Sequence, residues 1–301
     1  MATAPRLTCY RHPNRETGVS CPDCGRGLCP DCMVQTPVGI KCADDAGVPT
    51  GAARVARSAQ RFGVEGQGAL LTKILIGINV AVYILMLATG GGTLGSPGGE
   101  IFDKGALIGI GIQNGQLVGV AQGEWWRLVT SMFLHASILH LGLNMLFLWW
   151  VGAPVEEAVG RWRFALIYLA GGLGGAAGAL LFGKYELFGT TLATPTVGAS
   201  GALFGILGAA LVYERQRHYV LGGAALSIIV LNLVLSFTIS GISIGGHLGG
   251  LVAGALAALA LSRLGTQHAI YGRPGLAGVV GVLAIALGTV AVAYWAVADY
   301  I

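Results

Sequence analysis

The stretch Gly198-Ala199-Ser200-Gly201-Ala202-Leu203-Phe204-Gly205-Ile206-Leu207-Gly208-Ala209-Ala210-Leu211-Val212 decides how this chain folds. It is apolar throughout except for Ser200, and Gly201 and Gly205 lie four residues apart, a spacing that puts both on one face of a helix. In water such glycines weaken a helix, whereas in lipid they let two helix backbones approach closely. A second run carries the matching ridge at Gly246, Gly250 and Gly254, with His247 just inside its start. The two ridges predict helices that cross in contact and bring the Ser200 hydroxyl and the His247 imidazole within hydrogen-bond reach.

Outward from this pair the same chemistry continues. Of 301 residues, 54% are hydrophobic, only 11% are charged and 50 are Gly, and the mean hydropathy is +0.71. That balance defines an all-α polytopic membrane protein. Apolar runs near residues 71–90, 137–155, 164–183, 199–214, 219–238, 245–263 and 276–297 predict seven helices, each close to the roughly 20 residues that cross a bilayer. The formal net charge is +4, but Lys and Arg are scattered singly between apolar runs, which excludes a nucleic-acid partner.

The charged loops set an orientation. Arg54, Arg57 and Arg61, then Arg161 and Arg163, Arg215 and Arg217, and Arg263 and Arg273 alternate with loops of few cations. The positive-inside bias makes these loops cytoplasmic, with the N-terminus inside, the C-terminus outside, and the plasma membrane as the expected site. Met1 to Pro49 lacks an apolar core of signal-peptide length, so no secretory signal is expected. The long external stretch Gly91–Thr130, with Trp125, Trp126 and Arg127 near its end, is expected to lie partly in the membrane interface.

Polar groups inside a bilayer are costly and therefore candidates for function. His140 and Asn144, four apart on one helical face, can both donate hydrogen bonds towards one point in the bundle. Acyl transfer needs such donors for a tetrahedral oxyanion, together with a backbone N–H such as that of Ser200. Structural readings stand beside these: Ser200 bonding back to its own helix, His247 bridging helices, and His140 with Asn144 as an interhelical clamp. Glu156, Glu157 and Glu214 fall near the cytoplasmic ends, so no third triad carboxylate is expected, and packing or a neutral hydrogen bond must orient His247.

Through His140-x3-Asn144, Gly198-x-Ser200-Gly201 and His247-x2-Gly250, in this order, the chain resembles the rhomboid proteases. The resemblance covers roughly residues 70 to 265 and extends to Trp126-Arg127 and His135. It implies six core helices plus a seventh, Ser200 as nucleophile, His247 as base, an oxyanion site of His140, Asn144 and the Ser200 amide, and structural roles for Trp126 and Arg127. The implied substrates are single-span membrane proteins cut near the external end of their helix, reached through membrane lipid. Phe204 stands where some members of the family carry a Tyr that stacks on the histidine; Phe keeps the stack and loses the hydroxyl. Helix five and the Ser240–Gly246 loop are candidates for a lateral gate and cap. Two other classes compete: a catalytically silent membrane-protein binder or chaperone of the same fold, and a transporter, which repeated halves and helices interrupted at the midplane would mark.

All six cysteines lie between Cys9 and Cys42. Cys9-x2-His12, Cys21-x2-Cys24, Cys29-x2-Cys32 and Cys42-x2-Asp45 form four ligand pairs, enough for two structural zinc ions. A disulfide knot competes and is disfavoured in a reducing cytosol. The pattern resembles the B-box zinc fingers, whose cross-brace implies Cys9, His12, Cys29 and Cys32 at one ion and Cys21, Cys24, Cys42 and Asp45 at the other, with Asp44 as an alternative to Asp45. The expected domains are a zinc-binding head at 1–49 with a cytoplasmic protein partner, a basic linker at 50–69, a six-helix core at 70–265 and an additional helix at 266–301.

Overall fold

The computed structural model describes residues 7–36, 39–46, 68–90, 98–187, 190–193, 195–216, 218, 220–239, 241–263 and 275–298. Arg54, Arg57, Arg61, Arg217, Ser240 and Arg273 lie outside the described residues. The chain divides into two units, Met1–Gly66 and Gln67–Ile301.

The first unit is small and built on two hairpins. β1 (Leu7–Thr8) pairs with β2 (Glu16–Thr17), and β3 (Val34–Thr36) with β4 (Gly39–Lys41), both antiparallel. A single 3-10 turn, Pro30–Cys32, precedes β3. Its interior is Leu28 with the buried Cys9, Cys21, Cys29, Cys32 and Cys42, too little apolar surface to stabilise a domain of this size by itself.

The second unit is helical. Its main helices are α1 (Leu70–Ala88), α2 (Ile138–Val159), α3 (Arg161–Phe182), α4 (Ser200–Arg215), α5 (Ala225–Thr238), α6 (Ile244–Arg263) and α7 (Leu276–Val297). Among the described residues, α1, α2, α3, α6 and α7 are long and apolar enough to cross a membrane. This is an integral membrane protein, and its outward side chains agree: Leu139, Leu143, Val230, Leu231, Leu283 and Leu287 are exposed, as a lipid-facing belt must be.

The remaining two helices are shorter than the other five, and α5 is also shorter than its apolar run. α4 has 16 residues and α5 has 14, so α5 rises only about 21 Å, below the roughly 30 Å of hydrocarbon. The apolar run from 219 does not become helix until Ala225 because Gly222 and Gly223 take φ values of 65° and 84°, a left-handed backbone that cannot continue an α-helix.

α3 forms the centre. Its membrane window is 72% buried, against 17% for α7, and its glycines explain how. A Cβ on Gly171 would lie 2.7 Å from the Gly205 Cα and one on Gly175 2.8 Å from the Gly201 Cα, while Gly174 and Gly178 face Gly249 and Gly245 of α6. α4 and α6 meet along the expected ridges, with Gly250 against the Gly201 carbonyl and Gly254 against that of Gly205. Three backbones therefore touch directly, a packing available only without side chains. Beside this seam, Phe164, Ile167 and Tyr168 of α3 pack with Ile206 and Leu207 of α4 and Leu148, Val151 and Val155 of α2.

α2 starts at Ser137, whose Oγ accepts the His140 N–H at 3.1 Å as an N-cap. It passes through a π-helical turn at Leu148–Gly152, just ahead of Pro154, which has no N–H to donate into a regular ladder. Near its end Glu156, buried, accepts the Leu71 N–H at 2.9 Å, the Thr72 N–H at 2.6 Å and the Thr72 hydroxyl at 2.7 Å. A carboxylate thus satisfies the free N–H groups at the start of α1. Glu214 does the same for the α4–α5 connection, accepting from Leu221, Gly223 and Ala225. Glu156→Ala leaves three donors unmet, two of them buried, and is expected to lower stability by about 2–4 kcal/mol. Thermal unfolding in detergent measures it, and an unchanged midpoint would show that the cap contributes nothing.

Candidate active site

The long stretch before α2 is a clamp. Arg127, 1% exposed, donates to Glu124 at 2.6 Å and to the carbonyls of Asp103 and Ala106 at 2.8 and 2.7 Å. Trp126 Nε1 donates to the Lys104 carbonyl at 3.1 Å. This ordered segment reaches the serine: Leu107 and Thr196 exchange backbone hydrogen bonds at 3.0 and 2.9 Å, and the Gly198 N–H donates to the Ser131 carbonyl at 2.9 Å. Gly198 has a φ of 124°, which disfavours any residue with a Cβ, and a Cβ there would also lie 2.8 Å from His140 Nε2. The glycine is required both by the turn that delivers Ser200 and by the histidine ring pressed against it.

Ser200 opens α4, so its N–H has no acceptor within the helix. A small pocket beside it is lined by Ser131, Thr196, Gly198, Ser243 and Gly246, among others. His140 Nδ1 accepts from the Ala136 N–H at 3.4 Å; an accepting Nδ1 leaves the proton on Nε2, the nitrogen that faces Gly198. Asn144, 7% exposed, donates one amide hydrogen to the His140 carbonyl at 2.9 Å, which leaves its other amide hydrogen available. His135 is buried edge-on against His140 at 5.1 Å between ring centroids.

His247 lies near the start of α6 and is 7% exposed. Phe204 stacks on it, with centroids 4.1 Å apart and planes 15° from parallel, so the aromatic face expected from the sequence is present. Gly246 and Gly250 flank Gly201, bringing Ser200 and His247 onto adjacent turns of touching helices. No direct hydrogen bond joins Ser200 to His247. His247 Nδ1 lies instead 2.6 Å from Ser236 Oγ of α5. Ser236 is a participant that the sequence reading missed, and nothing in the apolar run around it sets this serine apart.

In the first unit, the ligand atoms of Cys9, His12, Cys29 and Cys32 lie within 4.8 Å of one another, and so do those of Cys21, Cys24, Cys42 and Asp45. His12 Nδ1 is 3.7, 3.3 and 3.4 Å from the sulfurs of Cys9, Cys29 and Cys32. Those N···S separations suit the edges of a tetrahedron about one metal ion, about 3.5 Å for a metal–nitrogen bond of about 2.0 Å and a metal–sulfur bond of about 2.3 Å. Both clusters can hold a metal ion. Asp45 Oδ2 is 3.1 Å from Cys21 Sγ and 3.0 Å from that of Cys42. Hydrogen bonds from Cys24, Cys42 and Cys21 hold its pKa down at about 2. Asp44 turns away to Arg11 and Arg26, at 3.3 and 3.1 Å, so Asp45 is the carboxylate at the second cluster.

Fold and site together define a multi-pass helical membrane protein in which a half-buried serine follows a glycine turn that packs on His140, with Asn144 one turn further along α2 and His247 on the helix that touches α4. The Rhomboid domain family matches residues 122–264. Across 223 residues, 72% of this chain, it is 37% identical to rhomboid protease GluP of Bacillus subtilis, spanning 39% of that protein's length. It is 30% identical over 226 residues to rhomboid protease AarA of Providencia stuartii, covering 68% of this chain and 76% of that one. Rhomboid-type serine protease 2 of Emericella nidulans is 34% identical over 190 residues, 60% of this chain and 32% of the relative. The chain belongs to the rhomboid family.

Proposed function

We propose that this protein is an intramembrane serine endopeptidase in which Ser200 is the nucleophile and His247 the general base. The observation that carries the reading is the seating of Ser200 at the free N-terminus of α4, one helical turn before the Phe204 ring that stacks on His247. Ser200 Oγ attacks the scissile carbonyl carbon as its proton passes to His247 Nε2. The carbonyl electrons move onto oxygen, where the Ser200 N–H, His140 Nε2–H and the remaining Asn144 amide hydrogen stabilise the charge. On collapse the C–N bond breaks and the amine leaves with the proton from His247. Water then hydrolyses the acyl-enzyme with His247 again as base. The missing Ser200–His247 hydrogen bond is compatible with this chemistry, since such contacts tighten when substrate is bound.

The substrates are single-span membrane proteins cut near the external end of their helix, where the scissile backbone must leave its helical hydrogen bonds before Ser200 can reach it. α5 and the loop before α6 form the lateral gate and cap. The similarity to the rhomboid proteases GluP and AarA supports the activity. The protein sits in the plasma membrane with its N-terminus cytoplasmic and its C-terminus external. Residues 1–49 form the head, 50–69 the linker, 70–265 the protease core and 266–301 the added helix. The test is cleavage of a single-span substrate in detergent by the wild type and by Ser200→Ala; equal rates would retire the reading.

The head binds two zinc ions, one through Cys9, His12, Cys29 and Cys32 and one through Cys21, Cys24, Cys42 and Asp45, and it engages a cytoplasmic protein. The metal supplies cohesion that a core of this size lacks. Elemental analysis of the purified protein is expected to find about two zinc per chain and about one in Cys29→Ser. A metal content unaffected by Cys29→Ser would remove that residue from the ligand set.

A further inference from the structure

We infer that Ser236 is a positioning residue that fixes the tautomer of His247 and ties it to the seat of α5. The inference rests on His247 acting as a base. A neutral imidazole serves as base at Nε2 only if its one proton sits on Nδ1. Serine proteases secure this with a carboxylate, whereas here the group 2.6 Å from Nδ1 is the Ser236 hydroxyl.

A hydroxyl has one proton and two lone pairs. Ser236 Oγ also lies 2.7 Å from the Asn232 carbonyl oxygen, one turn earlier in α5. That oxygen can only accept, so it takes the hydroxyl proton, a back-bond common for serine in membrane helices. Ser236 Oγ then faces His247 with a lone pair, and the ring must supply the proton from Nδ1. Nε2 is left bare on the side away from α5. The direction of the chain, from Nδ1–H to Oγ–H to the Asn232 carbonyl, thus sets the protonation that proton abstraction requires.

Burial marks this contact as built. Ser236 is 3% exposed and His247 7%, so no solvent competes for the bond. α5 buries only Ala225, Ile229 and Ser236, and of these Ser236 alone is polar and the furthest along towards the site. The bond is therefore the specific tie between a sparsely packed helix and the base. When α5 leaves its seat, Nδ1 loses its acceptor and the imidazole its fixed orientation.

The experiment uses the full chain in detergent, labelled with 15N-histidine, with the His247 resonances assigned by comparison with His247→Gln. The Nδ1–H tautomer is expected in the wild type, with mixed tautomers in Ser236→Ala. In parallel, Ser236→Ala is expected to lower kcat by roughly 10- to 100-fold, the loss of one hydrogen bond to the imidazolium that forms as His247 takes the proton, at unchanged KM, and Ser236→Thr, which keeps the hydroxyl, to restore most of it. An Nε2–H tautomer in the wild type would overturn the inference even if Ser236→Ala failed to fold. So would a Ser236→Ala protein that keeps both the wild-type tautomer and the wild-type kcat. A wild type that cleaves no membrane substrate defeats the peptidase reading instead, and the tautomer measurement still decides the role of Ser236.

Discussion

Ser200→Ala is expected to lower kcat/KM for a single-span substrate by about 10⁴-fold or more, into the background of the assay. Ser131, Thr196 and Ser243 line the same pocket, but none of them opens α4 one turn before the Phe204 ring that stacks on His247. The fold is expected to survive intact, because among the described residues the Ser200 side chain has no hydrogen-bond partner, and the substitution removes one half-buried oxygen at a helix start. Unfolding midpoints of the two proteins should therefore agree while their rates do not. A variant retaining a tenth of the wild-type rate would place the nucleophile elsewhere.

The second large effect concerns backbone contact. A Cβ on Gly250 would lie 2.0 Å from the Gly201 carbonyl oxygen, far inside van der Waals contact. A strained side chain can rotate away, but a carbonyl fixed in a helix cannot, so Gly250→Val must push α6 off α4. The displaced elements carry Ser200 and His247, and misplacing reacting groups by about 1 Å costs roughly 100-fold in rate. Gly250→Val is expected to lose at least that much cleavage and to unfold at a lower temperature. Gly288→Ala in α7, where a Cβ would meet nothing within 4 Å, is the control and should behave as the wild type. Normal cleavage by Gly250→Val would mean that the α4–α6 contact does not position the pair.

Much of this arrangement is legible from spacing. Gly201, Gly205, Gly250 and Gly254 announce their contact because a small residue every fourth position has few other uses in an apolar helix. The two cysteine clusters are legible because ligand pairs repeat with the same separation, and the choice between Asp44 and Asp45 is not, because it depends on where Arg11 and Arg26 sit. Ser236 was invisible for a similar reason. A serine in an apolar helix usually bonds to its own backbone, and only the position of α5 against α6 reveals the second partner. Glu156 and Glu214 could be placed near the ends of their own helices, but the free N–H groups they cap belong to other segments of the chain. The early start assigned to α5 failed because hydropathy does not register the left-handed backbone at Gly222 and Gly223.

The glycine seam also divides the molecule by mobility. Where carbonyl oxygens of α4 occupy the space beside Gly250 and Gly254, and those of α6 the space beside Gly174 and Gly178, there are no side chains between the helices to change rotamer. Such an interface has no soft coordinate: α3, α4 and α6 shift together or separate altogether. Slow motions of the bundle are thereby confined to the helices outside the seam, α5 foremost, with its three buried residues. A displacement of α5 therefore leaves the backbones that carry Ser200 and His247 in register, and it is the Ser236–His247 contact that such a displacement breaks.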